Sequence, residues 1–168
     1  MSRFELAQLN IATSMDDMDS PSVADFVANI DRINLLADAA PGFIWRLEED
    51  APEDPVAGLM QTTNTLVNIS VWRDVDALQD FAYRSAHADI MRRRKEWFTR
   101  MQDAHLVLWW VPAGHRPSIP EAMEKLATLR SKGATAEAFT FRATYPPPSP
   151  TSDPSAGTLR SRIDQRDI

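Results

Sequence analysis

The 168-residue sequence predicts an α+β domain in which two strand–helix–strand units share one sheet. Segments of alternating apolar residues, typical of strands, are interspersed with segments that carry apolar residues at helical spacing. They follow one another in the order β-α-β-β-α-β, and proline, glycine and acidic residues separate them. The chain is long enough for one domain with its own core.

The first strand and the first helix come from the N-terminal part of the chain. Residues 4–11, FELAQLNI, alternate as a strand, with Gln8 and Asn10 on the same face as large apolar side chains. A helix follows, with Ser20 as its predicted N-cap and a Pro-Gly pair at 41–42 as its end. Its apolar stripe consists of Val23, Phe26, Val27, Ile30 and Ile33.

The next two strands are predicted at 43–48, FIWRLE, and 66–72, LVNISVW. The second of these has two unlike faces. One is aliphatic (Val67, Ile69, Val71), and the other is polar and aromatic (Leu66, Asn68, Ser70, Trp72). We expect helices to pack on the aliphatic face.

A second helix is predicted from Asp74 to about Phe98, followed by a fourth strand at 105–111, HLVLWWV, which Pro112 ends. The completed order β-α-β-β-α-β is the split-βαβ, ferredoxin-like pattern.

The C-terminal part adds an extra helix and a short strand. Ser118 and Glu121 form a capping box, and Gly133 ends the helix. Its apolar stripe consists of Ala122, Leu126 and Leu129. Residues 137–143, EAFTFRA, are predicted to form a short fifth strand.

Composition divides the chain into a domain at 1–145 and a Pro/Ser-rich tail at 146–168 that we expect to be disordered. The net charge of −6 argues against a nucleic-acid partner. The sequence contains no cysteine, no membrane-length apolar run and no signal-peptide pattern, so we expect a cytoplasmic protein. Nucleotide-binding and serine-hydrolase motifs are also missing from the sequence.

Several motifs together resemble a known family. They are V-W-R-D-x-D-A-L-x-D-F-x-Y-x-S-x-H, R-R-x-x-W-F, L-W-W-V-P with its Trp-Trp-Val-Pro signature, and A-F-T-F. Over residues 4–143 the chain resembles an uncharacterised, mainly bacterial domain family of unknown function. More broadly, it is similar to the antibiotic-biosynthesis monooxygenases of the dimeric α/β-barrel superfamily. That resemblance implies a ferredoxin-like protomer that forms a homodimer by burying an uncovered sheet face, predicted to carry Trp72.

Candidate catalytic residues lie on the second helix. At helical spacing, Tyr83, His87 and Arg94 share one face with Ile90 and Trp97. His87 is the predicted acid/base because imidazole exchanges protons near neutrality. Tyr83 would assist it, and Arg94 would bind an anionic group. A boundary helix with structural hydrogen bonds is the alternative.

Candidate substrate-binding residues lie mainly on strands. Gln8 and Asn10 could orient a carbonyl or phenol, and Trp45, Trp72, Trp97 and Trp109 could stack on an aromatic ligand. The resemblance implies the same for Asn10 and Trp72, which match the substrate-side asparagine and tryptophan of those enzymes by element. Core packing of the tryptophans and backbone-satisfied amides are the alternatives.

Three functions follow. The first is a small-molecule enzyme acting on a hydrophobic, aromatic or polyketide-like substrate, with cofactor-independent monooxygenase-like or cyclase-like chemistry. The second is a heme-binding protein or heme enzyme with His87 as axial ligand, although heme-degrading relatives carry that histidine nearer positions 92–94. The third is a non-catalytic dimeric ligand-binding protein. The histidines lack the spacing of a metal site, so we expect none.

Overall fold

The computed structural model describes residues 3–48 and 64–149. In this part of the chain the strands are β1 (Phe4–Thr13), β2 (Phe43–Arg46), β3 (Thr65–Trp72) and β4 (Leu106–Pro112). The α-helices are α1 (Ala24–Asp38), α2 (Val75–Arg84), α3 (His87–Arg93) and α4 (Ile119–Lys132), and short 3-10 helices cover Pro21–Val23 and Arg94–Glu96.

The strands form one antiparallel sheet in the order β2-β3-β1-β4. β1 therefore lies in the middle, between the strands that begin and end the second strand–helix–strand unit. The predicted α+β class is confirmed.

Strand register assigns each side chain to one of two faces. Gln8 pairs with Ser70, and Asn10 pairs with Asn68, so these polar side chains share a face. We call it the polar–aromatic face; Leu6, Trp72, Leu108 and Trp110 also belong to it by register. Ala7, Leu9, Ile69, Val71, Val107 and Trp109 form the opposite, aliphatic face.

Helix α4 packs on the aliphatic face, which agrees with the prediction for that face, although the other three α-helices lie on the opposite side. Its stripe of Ala122, Leu126 and Leu129 is buried in the same apolar cluster as the odd-numbered residues of β1. The Ser118 hydroxyl accepts a hydrogen bond from the Glu121 amide at 3.3 Å, and Gly133 caps the C-terminus with φ of 74°.

Helices α1, α2 and α3 lie on the polar–aromatic face, which corrects the prediction for Trp72. Its side chain is 1% exposed and stacks on Phe81 of α2 with ring centroids 5.1 Å apart. This face is therefore not an open surface on which a second copy could dock. The homodimer stays a prediction, and it needs a different surface.

The predicted single helix over 74–98 is wrong, because the chain breaks at Ser85. That residue has an extended backbone with φ −98° and ψ 177°. Its hydroxyl donates to the Phe81 carbonyl oxygen and accepts from the His87 amide. A serine side chain that bonds the backbone in this way competes with helix continuation.

The predicted fifth strand is also wrong. Phe139 exchanges two backbone hydrogen bonds of 2.8 Å with Leu108 on β4, but the residues on either side close tight turns. The segment is a single β-bridge at the sheet edge.

Two smaller findings concern helix α1 and the tail. Ser20 precedes the first helical turn without a side-chain capping bond, because its hydroxyl lies 3.1 Å from that of Ser22. Residues 146–149 are exposed, and the rest of the predicted tail lies outside the described residues.

Within the described ranges, no helix combines the length and hydrophobicity that crossing a bilayer requires.

Candidate functional site

A cavity of about 230 Å³ lies between the polar–aromatic face and helices α1, α2 and α3. An apolar cavity of about 150 Å³ is large enough for benzene, so this volume suits a ligand of one or two rings. Phe26, Ile30 and Ile33 of α1 line it. Ala37 is the one residue of α1 that counts as buried, because the apolar stripe of this helix faces the cavity.

An aromatic stack forms one end of the cavity. Trp72 stacks on Phe81 at 5.1 Å and 26°, and Phe81 stacks in turn on the His87 imidazole at 4.9 Å and 29°. Phe43 meets Trp72 edge-on at 5.3 Å. These rings offer a flat, apolar surface of the kind that binds planar ligands.

His87 begins α3, and its imidazole lines the cavity. Burial lowers the pKa of His87, and the contact with the Ala82 carbonyl offsets part of that decrease. The Nδ1 atom lies 3.4 Å from the Ala82 carbonyl oxygen, which can only accept, so Nδ1 carries the proton. Nε2 then keeps its lone pair. The ring is neutral at neutral pH and is able to accept a proton.

The floor of the cavity contains a hydrogen-bonded network. Gln8 is 6% exposed and donates from Nε2 to Asn68 Oδ1 at 2.6 Å and to Ser70 Oγ at 3.0 Å. The Trp72 indole also donates to Ser70 Oγ, at 2.8 Å. The Gln8 amide is thus held mainly by side chains of β3, whereas the structural alternative for this residue was an amide satisfied by the backbone.

Asn10 differs from its neighbours in the floor. Its Oδ1 is buried and has no hydrogen-bond partner in the part of the chain that the structure describes. An unsatisfied buried acceptor costs roughly 1–3 kcal/mol. A ligand hydroxyl or amine would remove that cost.

Arg94 lines the cavity beside the start of β4. Its Nη1 lies 3.2 Å from Nε2 of His105, which must accept because a guanidinium only donates. Its neighbour Arg93 instead pairs with two carboxylates, Asp25 at 3.0 Å and Glu96 at 2.9 Å. Among the described residues, no carboxylate forms an ion pair with Arg94.

Tyr83 lies at the rim of the cavity. Its side chain is 60% exposed and meets Phe141 edge-on at 5.6 Å. This position brings the phenol to the cavity entrance.

Three of the predicted tryptophans do not line this cavity. Trp45 pairs with Val71, which places it on the aliphatic face. Trp109 lies on the same face and donates to Glu121 at 3.2 Å. Trp97 is buried against Phe26 at 5.7 Å, with Arg93 over its ring. These positions favour core packing, which was the alternative for these residues.

The family follows from the sequence comparison. A family model described as Domain of unknown function (DUF3291) matches residues 5–155. The chain belongs to this family. No curated protein matches it. Among solved structures, it is similar to a protein of unknown function from Nitrosomonas europaea at 16% identity and a TM-score of 0.42, covering 69% of this chain and 97% of that one.

The sequence did not indicate two of the residues that line the cavity of this DUF3291 member, Phe81 and Arg46. Phe81 stacks on His87 although six positions separate them, a spacing that points to different faces of a continuous helix. The break at Ser85 brings the rings together. Arg46 lines the cavity from β2 and pairs with Asp38 at 3.0 Å, and only the sheet register reveals that position.

Metal ligation finds no support in the described ranges. No group of three or more histidine, aspartate or glutamate side chains there could hold an ion.

Proposed function

We propose that the protein is a small-molecule enzyme that holds a hydrophobic, aromatic or polyketide-like substrate in this cavity. His87 acts as the acid/base in cofactor-independent monooxygenase-like or cyclase-like chemistry. The observation that supports this proposal is the neutral, partly buried imidazole in the wall of a mainly apolar cavity.

The first chemical step is a proton transfer. Nε2 of His87 accepts the proton of a phenol, or of a C–H next to a carbonyl, and the bonding electron pair stays on the substrate as a delocalised anion. In a cyclase, the anionic carbon attacks a carbonyl carbon of the same molecule, and the resulting alkoxide takes the proton back. In a monooxygenase, the anionic carbon forms a C–O bond with O₂, and the peroxide takes the proton back from His87. Loss of water then leaves a quinone, so one oxygen atom enters the substrate and the other leaves as water.

Burial of His87 favours the return of the proton from the imidazolium to the product. Because the low-polarity surroundings disfavour the imidazolium, the protonated ring returns its proton readily to the product. The aromatic stack on one side and the apolar α1 stripe on the other keep bulk water away from the anion.

Heme binding through His87 is the second candidate from the sequence. Nε2 of the ring is the free nitrogen, as an axial ligand requires. However, cavities for drug-sized ligands measure about 300–1,000 Å³, and a heme is larger than most such ligands. A cavity of about 230 Å³ does not fit it without separating α1 from α3.

The test is a substrate screen with matched variants. Dihydroxynaphthalenes are incubated with the protein under ¹⁸O₂, and mass spectrometry measures the ¹⁸O that a monooxygenase incorporates. Open-chain 1,5-diketones are screened in parallel for cyclisation, which leaves the mass unchanged. His87→Phe, which keeps a ring against Phe81, should abolish turnover, and His87→Gln should as well. Turnover that survives both His87→Phe and Tyr83→Phe contradicts the proton-transfer assignment. Ligand binding without turnover in the wild type favours a non-catalytic binding protein.

A further inference from the structure

The cavity has a charge unlike that of the chain. Its charged lining residues are Arg46 and Arg94, and no aspartate or glutamate is among the described residues that line it. The whole sequence has 24 acidic and 18 basic residues, with a net charge of −6. Its wall is therefore cationic and apolar in an acidic protein.

The two guanidiniums are not equivalent. Arg46 is neutralised by Asp38, with Nε 3.0 Å from Oδ1. Arg94 has the imidazole of His105 as its hydrogen-bond partner, and no carboxylate among the described residues pairs with it. A partly buried cation without a counter-charge is costly, and a bound anion would compensate it.

Arg94 lies at the end of the cavity where Asn10 lies. Its partner His105 accepts a backbone hydrogen bond from Ile11 at 2.9 Å, one residue beyond Asn10. Trp72 stands in register with Leu6, four residues back along β1. That separation is about 13 Å at the usual rise of a strand. The Asn10 end of the cavity therefore carries Arg94, and the Trp72 end carries the aromatic stack together with Arg46, which Asp38 neutralises.

We infer that the cavity binds a flat, apolar monocarboxylate whose carboxylate pairs with Arg94 and whose rings lie toward Trp72 and Phe81. A neighbouring hydroxyl or amine of the ligand donates to Oδ1 of Asn10. A monoanion is favoured over a phosphate ester because, among the described residues, Arg94 is the one lining arginine without a carboxylate partner. A guanidinium binds a carboxylate with two parallel hydrogen bonds. This inference rests on the proposed function, because it assumes that the same cavity binds the substrate.

The test compares two probes of the same shape. Isothermal titration calorimetry measures the dissociation constants of 3-hydroxy-2-naphthoate and of its neutral amide, 3-hydroxy-2-naphthamide. The carboxylate should bind roughly 10- to 100-fold more tightly, the usual range for a hydrogen-bonded charge. Arg94→Gln should reduce that preference to about twofold or less.

Matched variants separate a specific effect from a general one. Arg92→Gln removes a neighbouring cation that is exposed and paired with Asp89, so it should leave the preference unchanged. Arg94→Lys keeps the charge but loses the two-pronged geometry, and it should keep part of the preference. Thermal denaturation checks that each variant folds.

The outcomes distinguish this inference from the proposed function. Equal affinity for both probes, or a preference that persists in Arg94→Gln, overturns the inference and leaves the cavity as a ligand site. If neither probe binds at millimolar concentration, both the inference and the proposed function fail.

Discussion

Filling the cavity from its floor should stabilise the protein. Ala12 follows Asn10 on the same face of β1 and lines the cavity, so a larger apolar side chain at this position has space to occupy. Ala12→Leu adds about three methylene equivalents, each worth about 0.8 kcal/mol when buried. Leucine loses roughly 0.5–1 kcal/mol of rotamer freedom. We expect the free energy of unfolding to rise by about 1–2 kcal/mol.

The same change on the opposite face is the control. Ala7 is 0% exposed in the close-packed aliphatic cluster beneath α4. Ala7→Leu should lower the free energy of unfolding by about 1–3 kcal/mol, since the added carbons have no space. Both variants replace alanine by leucine on the same strand. They differ only in that position 12 faces the cavity and position 7 faces the close-packed cluster.

Urea denaturation and thermal melting measure both effects. For a chain of this length, 1 kcal/mol corresponds to a melting-temperature shift of about 2–4 °C. Ala12→Leu should also weaken the binding of 3-hydroxy-2-naphthoate, because its side chain takes the ligand's space. If Ala12→Leu destabilises the protein as much as Ala7→Leu does, α1 packs tightly on the sheet and the hollow does not exist in solution.

Four further predictions address the rest of the molecule. Because burial lowers the pKa of His87 below its ordinary 6.5, the unfolded chain binds the proton first as pH falls. The free energy of unfolding should therefore decrease below pH 6.5 until the folded-state ring is protonated too, and His87→Phe should remove that part of the decrease in urea titrations. Gly42→Ala should cost about 2–5 kcal/mol, because φ is +84° and the new Cβ would lie 2.6 Å from that of Ala77; Gly133→Ala, at φ +74° in open space, should cost only about 1–2 kcal/mol. Addition of hemin should produce no Soret band of bound heme. A Soret band that is present in the wild type and lost in His87→Ala would establish the heme alternative. Sedimentation equilibrium should show a dimer, and a monomer at all concentrations would refute the predicted assembly.

Local signals made the C-terminal helix predictable. The helix begins at its N-cap Ser118, carries an apolar stripe and ends at Gly133. Each of these signals depends on residues that are close in the sequence, so the helix could be predicted without knowledge of the fold. The strands were predictable for the same reason, since the alternation of side chains in β1 and β3 is a local property.

The assignment of faces was not predictable. Alternation divides β3 into two faces but does not say which face receives which helices. The uncovered surface predicted for Trp72 was therefore wrong, because α2 lies over it and α4 covers the other side. The break at Ser85 was also missed, because apolar spacing from Tyr83 to Trp97 fits one helix. A serine inside a helix often bonds the carbonyl four residues earlier and only bends the helix, so its presence did not predict a break.

The hollow itself follows from the order of side chains along the polar–aromatic face. Trp72 and Phe43 stand at one end, in the buried cluster that also includes Leu78 of α2. Ser70 and Ala12, farther along the sheet, have short side chains and line the cavity. Side chains of this length leave space beneath the helices at these two positions.

The polar residues of the cavity fall into two groups, those whose hydrogen bonds are already made within the protein and those that could still bind a ligand. Gln8 donates to Asn68 and Ser70, so it stabilises the floor whether or not a ligand is present. Among the described residues, nothing bonds Oδ1 of Asn10 and no carboxylate pairs with Arg94, and Nε2 of His87 is the ring nitrogen that can take a proton. A purely structural role would leave these capacities unused at a cost in stability. Substitution of Gln8 should therefore lower stability more than ligand affinity, whereas substitution of Arg94 should do the reverse.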